Sequence, residues 1–208
     1  MTLRIDICDR ALQRIGAPAL QTESAAGAGP VLNLYDDVVR FICGLEPWTF
    51  TKRTLALNED LELLPSDFWS HRYKLPNDRI GQPLAYYDKP ASQRMPGGVP
   101  FTEFELEGDD YVLTEATTLW CTYQVVAPPS QWPAVLREAI TLALAAELAV
   151  ARHEDHKTRA VLRATVYGDE RVPGDLGLLG KASLQDAQRR PSPVMNRYGP
   201  NPLIDARR

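Results

Sequence analysis

From Trp132 to Arg152 the chain reads WPAVLREAITLALAAELAVAR, and between Ala139 and Ala151 only Thr141 and Glu147 are polar. A surface helix carries a wide polar face; here the polar strip narrows to Arg137, Glu138, Thr141 and Arg152. The pattern predicts a helix buried nearly all round. Ser130 is its expected N-cap, and Pro133 falls early, where a missing N–H costs nothing. The apolar run is shorter than the roughly 20 residues of a membrane span. Its small residues, among them Ala139, Ala143 and Ala146 with Leu148 beside them, let neighbouring backbones approach. A helix bundle should assemble around it.

The flanking helices show ordinary amphipathic periodicity. Leu3, Ile7, Ala11 and Ile15 recur at i, i+4, with Thr2 as cap and Gly16 as stop. Asp6 and Asp9 lie early and Arg10 and Arg14 late, as the helix dipole prefers. A second helix is expected from Pro30 to about Leu45, with Val31, Leu34, Val38, Phe41, Ile42 and Leu45 on its apolar face. Pro47 ends it, and Trp48 and Phe50 should plug the end of the bundle. Beyond the central helix, a fourth is expected over Lys157 to Arg171, with Ala160, Val161, Ala164 and Tyr167 on one side. Leu176 to Leu179 is a short apolar patch, and Lys181 to Arg190 suits one further helical run.

Between Thr51 and Pro129 the period changes to that of short strands separated by turn residues. Thr54–Leu57, His71–Leu75, Pro83–Tyr87, Phe101–Glu107, Tyr111–Leu113 and Leu119–Val126 are the candidates, with Gly108-Asp109-Asp110 a tight turn between two of them. The expected fold is α+β, mainly α: a helical bundle (1–50 and 130–190) with a small antiparallel sheet inserted (51–129). Residues 93–100, QRMPGGVP, form a Gly/Pro-punctuated loop suited to meeting a partner. From Pro191 the sequence PSPVMNRYGPNPLIDARR has four prolines and no periodicity. It is an expected extended arm that orders on a partner.

Composition narrows the function classes. A net charge of −4 and a pI near 5.4 argue against a dedicated nucleic-acid binder. Cys8, Cys43 and Cys121 are odd in number and widely spaced, which suggests buried thiols rather than disulfides or a zinc site. Charges at Arg4, Asp6, Asp9 and Arg10 leave no signal-peptide core at the N-terminus, so the chain is expected to be soluble and intracellular when made.

Candidate chemistry is sparse. His153 and His156, at i, i+3 on a continuing helix, would share a ligand face, but no third ligand accompanies them. Asp109-Asp110 matches a paired-aspartate Mg²⁺ site only locally, since the further carboxylates are lacking. Ser70-His71 has no nucleophile elbow, and Gly97-Gly98 precedes Pro100 rather than a helix. The residues suggest neither an enzyme nor a cofactor.

The order of features resembles a known family. A first helix reading ICDRALQRIGAPAL, a Ser/Ala/Gly loop, and a helix ending in LEPWTFTKRTLAL are similar to the opening of the head-to-tail connectors of tailed bacteriophages. This is the family of tail tubular, gatekeeper or adaptor proteins. Tyr73-Lys74-Leu75-Pro76 with Asp78, and the sheet running into a Pro-bounded LALAAELA helix, fit the same pattern. The resemblance spans about residues 3 to 170; the central helix opens with Trp132-Pro133 where the family suggests Pro-Phe, and the arm has no counterpart.

The resemblance implies a structural, non-enzymatic virion protein at the head–tail junction, assembled in the host bacterial cytoplasm. It would form a dodecameric ring under the portal protein, pass DNA without sequence-specific binding, touch no membrane and need no cofactor. The arm would bind the portal through Pro191, Met195, Arg197, Tyr198, Leu203, Ile204, Arg207 and Arg208. Met95, Gly97, Gly98 and Val99 would face the next tail component, a nozzle, stopper or tail tube. Ala139, Ala143, Ala146 and Leu148 of the central helix would serve both the core and lateral contacts. The alternative is a small metal-dependent hydrolase using His153 and His156.

Overall fold

The computed structural model describes residues 3–20, 22–61, 68–90, 100–169 and 171–189. The fold is α+β and mainly α. Helices α1 (Leu3–Arg14), α2 (Ala28–Leu45), α3 (Ala134–His153), α4 (His156–Tyr167) and α5 (Gly177–Gln188) account for most of the regular structure. Six strands lie between α2 and α3: β1 (Lys52–Ala56), β2 (His71–Lys74), β3 (Ala85–Tyr87), β4 (Phe104–Glu107), β5 (Tyr111–Thr114) and β6 (Trp120–Gln124). The chain divides into two compact units, Met1–Thr51 with Val126–Gln188, and Lys52–Val125.

In the helical unit α3 packs against α1, α2, α4 and α5. Leu136, Ile140 and Leu144 are wholly buried, as are Ala139, Ala145, Ala146 and Ala149. Thr141 is tolerated there because its hydroxyl donates to the Arg137 carbonyl at 2.8 Å. The helix starts later than the sequence suggests. Pro133 is the N-cap, and Ser130 belongs to a short 3-10 turn, Pro129–Gln131. The buried Trp132 donates its indole N–H to the Ala127 carbonyl (2.9 Å), fixing the turn ahead of the helix.

Two apolar faces differ in phase from their expected positions. On α2 the buried stripe is Ala28, Val31, Tyr35, Val38, Val39, Ile42 and Cys43, whereas Phe41 and Leu45 are 57% and 46% exposed. Near the C-terminal end α2 is apolar on several sides at once, so periodicity alone leaves its rotation open. On α4, Val166 is buried and Val161 is 66% exposed, so the expected Ala160–Val161–Ala164–Tyr167 side faces outward. Glu147 accompanies this rotation: it stands on apolar α3 and takes Arg159 at 2.9 Å and Arg163 at 3.7 Å from α4.

Asp9, read from the sequence only as an early acidic residue of α1, is buried and accepts the Leu20 N–H at 2.7 Å. Trp48 does plug the end of α2: it is 1% exposed and donates to the Ile42 carbonyl at 3.0 Å. The run expected at Lys181–Arg190 and the patch before it are one helix, α5. Between α4 and α5 the backbone passes so close to itself that only glycine fits. A Cβ on Gly168 (φ +93°) would collide with the Asp175 carbonyl, and one on Gly177 (φ +57°) with the Gly168 nitrogen.

The second unit holds two three-stranded antiparallel sheets, ordered β1-β6-β3 and β2-β5-β4, where one sheet was expected. Alternation marks strands without saying which strand pairs with which. Leu55 pairs with Cys121 in the first sheet, and Tyr73 with Val112 in the second. Their inward faces share one core of Leu57, Tyr73, Leu75, Tyr86, Val112, Leu119, Cys121, Tyr123 and Val125. Tyr86 of the first sheet meets Phe104 of the second with ring centroids 4.5 Å apart.

Candidate functional site

Sequence reasoning nominated four sets of residues, and the structure treats them differently. The arm residues Pro191, Met195, Arg197, Tyr198, Leu203, Ile204, Arg207 and Arg208 lie outside the described residues, as do Met95, Gly97, Gly98 and Val99. Ala139, Ala143, Ala146 and Leu148 are described, and all four are buried within their own subunit. The three alanines and Leu148 pack inside the bundle, so they offer no surface to a neighbouring copy.

His153 and His156 do not share a helix. His153 ends α3 and His156 opens α4, with Glu154 between them in the left-handed region (φ 53°). The Glu154 and Asp155 N–H groups return to the Val150 and Ala149 carbonyls (3.1 and 3.2 Å), closing α3. Asp155 then caps α4, accepting from the Lys157 and Thr158 N–H groups at 3.1 and 3.0 Å and from the Thr158 hydroxyl at 2.5 Å. The Thr158 hydroxyl and then its N–H are the main reasons that the Asp155 carboxyl sits below the ordinary value. Helix termination therefore explains this cluster. Among the described residues, no group of three or more His, Cys, Asp and Glu side chains is placed to hold a metal ion.

The other candidates resolve into turn and strand contacts. Asp109 and Asp110 are held by Arg79, which donates to the Asp109 carbonyl and to Asp110 Oδ1 (3.3 Å), and Gln82 reaches Asp109 Oδ1 at 3.2 Å. Ser70 and His71 turn to separate carboxylates: the Ser70 hydroxyl donates to Glu115 (2.7 Å), and His71 Nδ1 to Glu59 (2.7 Å). The hydroxyl thus has no imidazole partner to activate it.

What remains open on the helical unit is apolar surface. Phe41 and Leu45 present one patch on α2. On α4, Val161 and Tyr167 line a shallow concavity of about 630 Å³ that ends at Gly168, Asp169 and Arg171. Arg163 lies over the Tyr167 ring at 5.5 Å while also facing Glu147. Val172 and Leu176, just beyond, are about half exposed. Sequence reasoning placed most of these side chains inside; their exposure depends on helix rotation, which periodicity left open. No known family model matches the chain, and no curated protein does either.

Proposed function

We propose that the chain is a head-to-tail connector of a tailed bacteriophage, a virion protein that assembles as a ring between portal and tail and lines the path of the DNA. The observation that carries this reading is the ordered set of features from the first helix through PWTF and YKLP to the alanine-rich helix. The exposed faces of α2 and α4 support it by supplying apolar surface at two different places on one subunit. Such unlike patches suit repeated heterologous contacts, which close into a ring. In this reading residues 191–208 engage the portal, and the loop at 93–100 meets the next tail component. DNA passes an acidic subunit of net charge −4, which favours sliding over sticking.

Mass photometry of the purified chain, alone and mixed with the portal protein of the same phage, tests the proposal. The expected result is a shift from monomer to a portal-bound ring of about twelve copies. Deletion of 191–208 should abolish attachment and leave the circular dichroism spectrum unchanged. A chain that stays monomeric beside the portal overturns the reading, and unimpaired attachment by the truncated chain removes the arm from it.

A further inference from the structure

We infer that the last turns of α5 and the Glu46–Thr51 segment, through which the chain leaves α2 for β1, open and close as one unit. Segments 137 residues apart meet here. Ser183 donates its hydroxyl to the Glu46 carboxylate. One helical turn on, Asp186, wholly buried, accepts the Thr49 N–H at 2.9 Å and the Thr49 hydroxyl as well. Residues 183 and 186 stand at i, i+3, so both grip the same segment from one side of α5.

The segment they grip is itself a short chain of dependent contacts. Thr49 opens a 3-10 turn, Thr49–Thr51, and Asp186 caps that turn from outside it. The Thr51 hydroxyl donates to the Trp48 carbonyl at 3.0 Å, and both residues are buried. Lifting the end of α5 would strip the Thr49 N–H of its acceptor and leave the turn uncapped. Releasing the turn would likewise strip a buried carboxylate of two donors. Each loss is costly in a buried place, so the two segments favour the same state. The next residue after Thr51 begins β1, and the residues after Gln188 lead directly into 191–208. The coupling therefore links the root of one terminal segment to the passage into the β unit. A regulatory role in assembly rests on the reading of 191–208 as the portal-binding arm; the coupling itself does not.

Hydrogen–deuterium exchange on the full-length protein tests the coupling without any partner. Asp186→Ala is expected to speed exchange by about tenfold in peptides from 177–188 and at 46–51 together, with α1 peptides unchanged. Asp186→Asn, which keeps an acceptor oxygen, should give a smaller rise in both. Faster exchange in 177–188 with 46–51 at the wild-type rate overturns the inference, and so does no change in either. Should Asp186→Ala unfold globally, Thr49→Val decides. It keeps the N–H but loses the hydroxyl, and must speed exchange in 177–188 from the other side, or the coupling is absent. A failure of the portal reading would appear instead in the attachment assay and leave these rates untouched.

Discussion

The two units differ in the charged groups that fix their turns and connections. In the helical unit carboxylates accept backbone N–H groups: Asp9 at Leu20, Asp155 at the start of α4, Asp175 at Asp169 and Gly177, and Asp186 at Thr49. Each sits where a helix begins or a connection turns, because helix starts leave N–H groups without partners. In the β unit guanidinium groups do the tying. Arg72, 8% exposed, reaches Glu107 at 2.8 Å and Asp60 at 3.6 Å and lies 3.7 Å over the Tyr111 ring. Arg79 joins the Pro76 carbonyl at 2.9 Å to the β4–β5 turn. Strands already satisfy their own backbones in the ladder, so what needs fixing is one strand or turn against another, and Arg offers a fork of donors for that. Carboxylates that accept backbone N–H groups mark the turns of the helical unit, where arginine pairs such as Arg159–Glu147 also join helices; in the β unit arginines fix the turns and strands.

The largest expected effects test whether each unit depends on its own device. Leu144→Ala, at a wholly buried site in α3, should cost about 3–4 kcal/mol through lost burial and a residual cavity. Arg72→Ala should cost somewhat less, about 2–3 kcal/mol, by removing a buried cation shared by two carboxylates and a ring. Urea unfolding followed by far-ultraviolet circular dichroism, which weights the helices, measures the first. Protease susceptibility of the β unit reports the second. If both variants shift both signals equally, the units unfold together and the contrast between them is one of construction only.

The sequence carried some levels of this fold better than others. The α3 core was legible because thirteen residues with only Thr141 and Glu147 polar admit few folded placements. The alternation of Leu119, Cys121, Tyr123 and Val125 gave the inner face of β6 and its continuation, and all four are buried. The rotations of α2 and α4 were not legible. Phe41 and Leu45 are as apolar as their buried neighbours, and α4 buries Val166 while turning the equally apolar Val161 outward, with Arg159 paired to Glu147 on another helix. Asp9 and Asp186 were missed for a related reason: their acceptors' purpose lies in backbone groups distant in sequence, Leu20 and Thr49. The His153/His156 pair failed as a shared face because Asp155 is a stronger helix-start signal than the histidines are a helix continuation.

The cysteines give a sharper probe of whether the units part company. Cys8 and Cys43 lie in the helical unit and Cys121 in the β unit, all buried. Burial pushes the first two thiols up to about 11 and Cys121 to about 12. At pH 8 a thiol of that kind is thiolate in about one molecule per thousand or fewer, and alkylation needs the thiolate. Native protein should therefore resist iodoacetamide at all three positions. Mass spectrometry of protein pulsed with the reagent along a urea gradient then shows the order of exposure. Labelling of Cys121 at a different urea concentration from Cys8 and Cys43 means separate transitions; coincident labelling means a single one. Rapid labelling in the absence of urea would contradict the burial itself.

The smallest expected effect concerns acid, and it belongs to the helical unit's carboxylate caps. Hydrogen bonds from Thr158 hold Asp155 below its ordinary value of 3.8, and those from the Asp169 and Gly177 N–H groups do the same for Asp175. The unfolded chain takes up these protons first as pH falls, because its carboxyls titrate at the ordinary value. The caps' contribution is therefore complete above that value and disappears as pH drops through the lower, folded one. Asp175 is exposed and Asp155 only partly buried, so the change is modest and screened by salt. Thermal melts at pH 6 and pH 3, followed at a helix-sensitive wavelength, should show a loss that Asp155→Asn reduces. Asparagine caps a helix nearly as well as aspartate but has no proton to gain in that range, so its melting point at pH 6 should change little. An identical fall in the variant would place the acid sensitivity elsewhere and leave Asp155 as a cap whose charge is incidental.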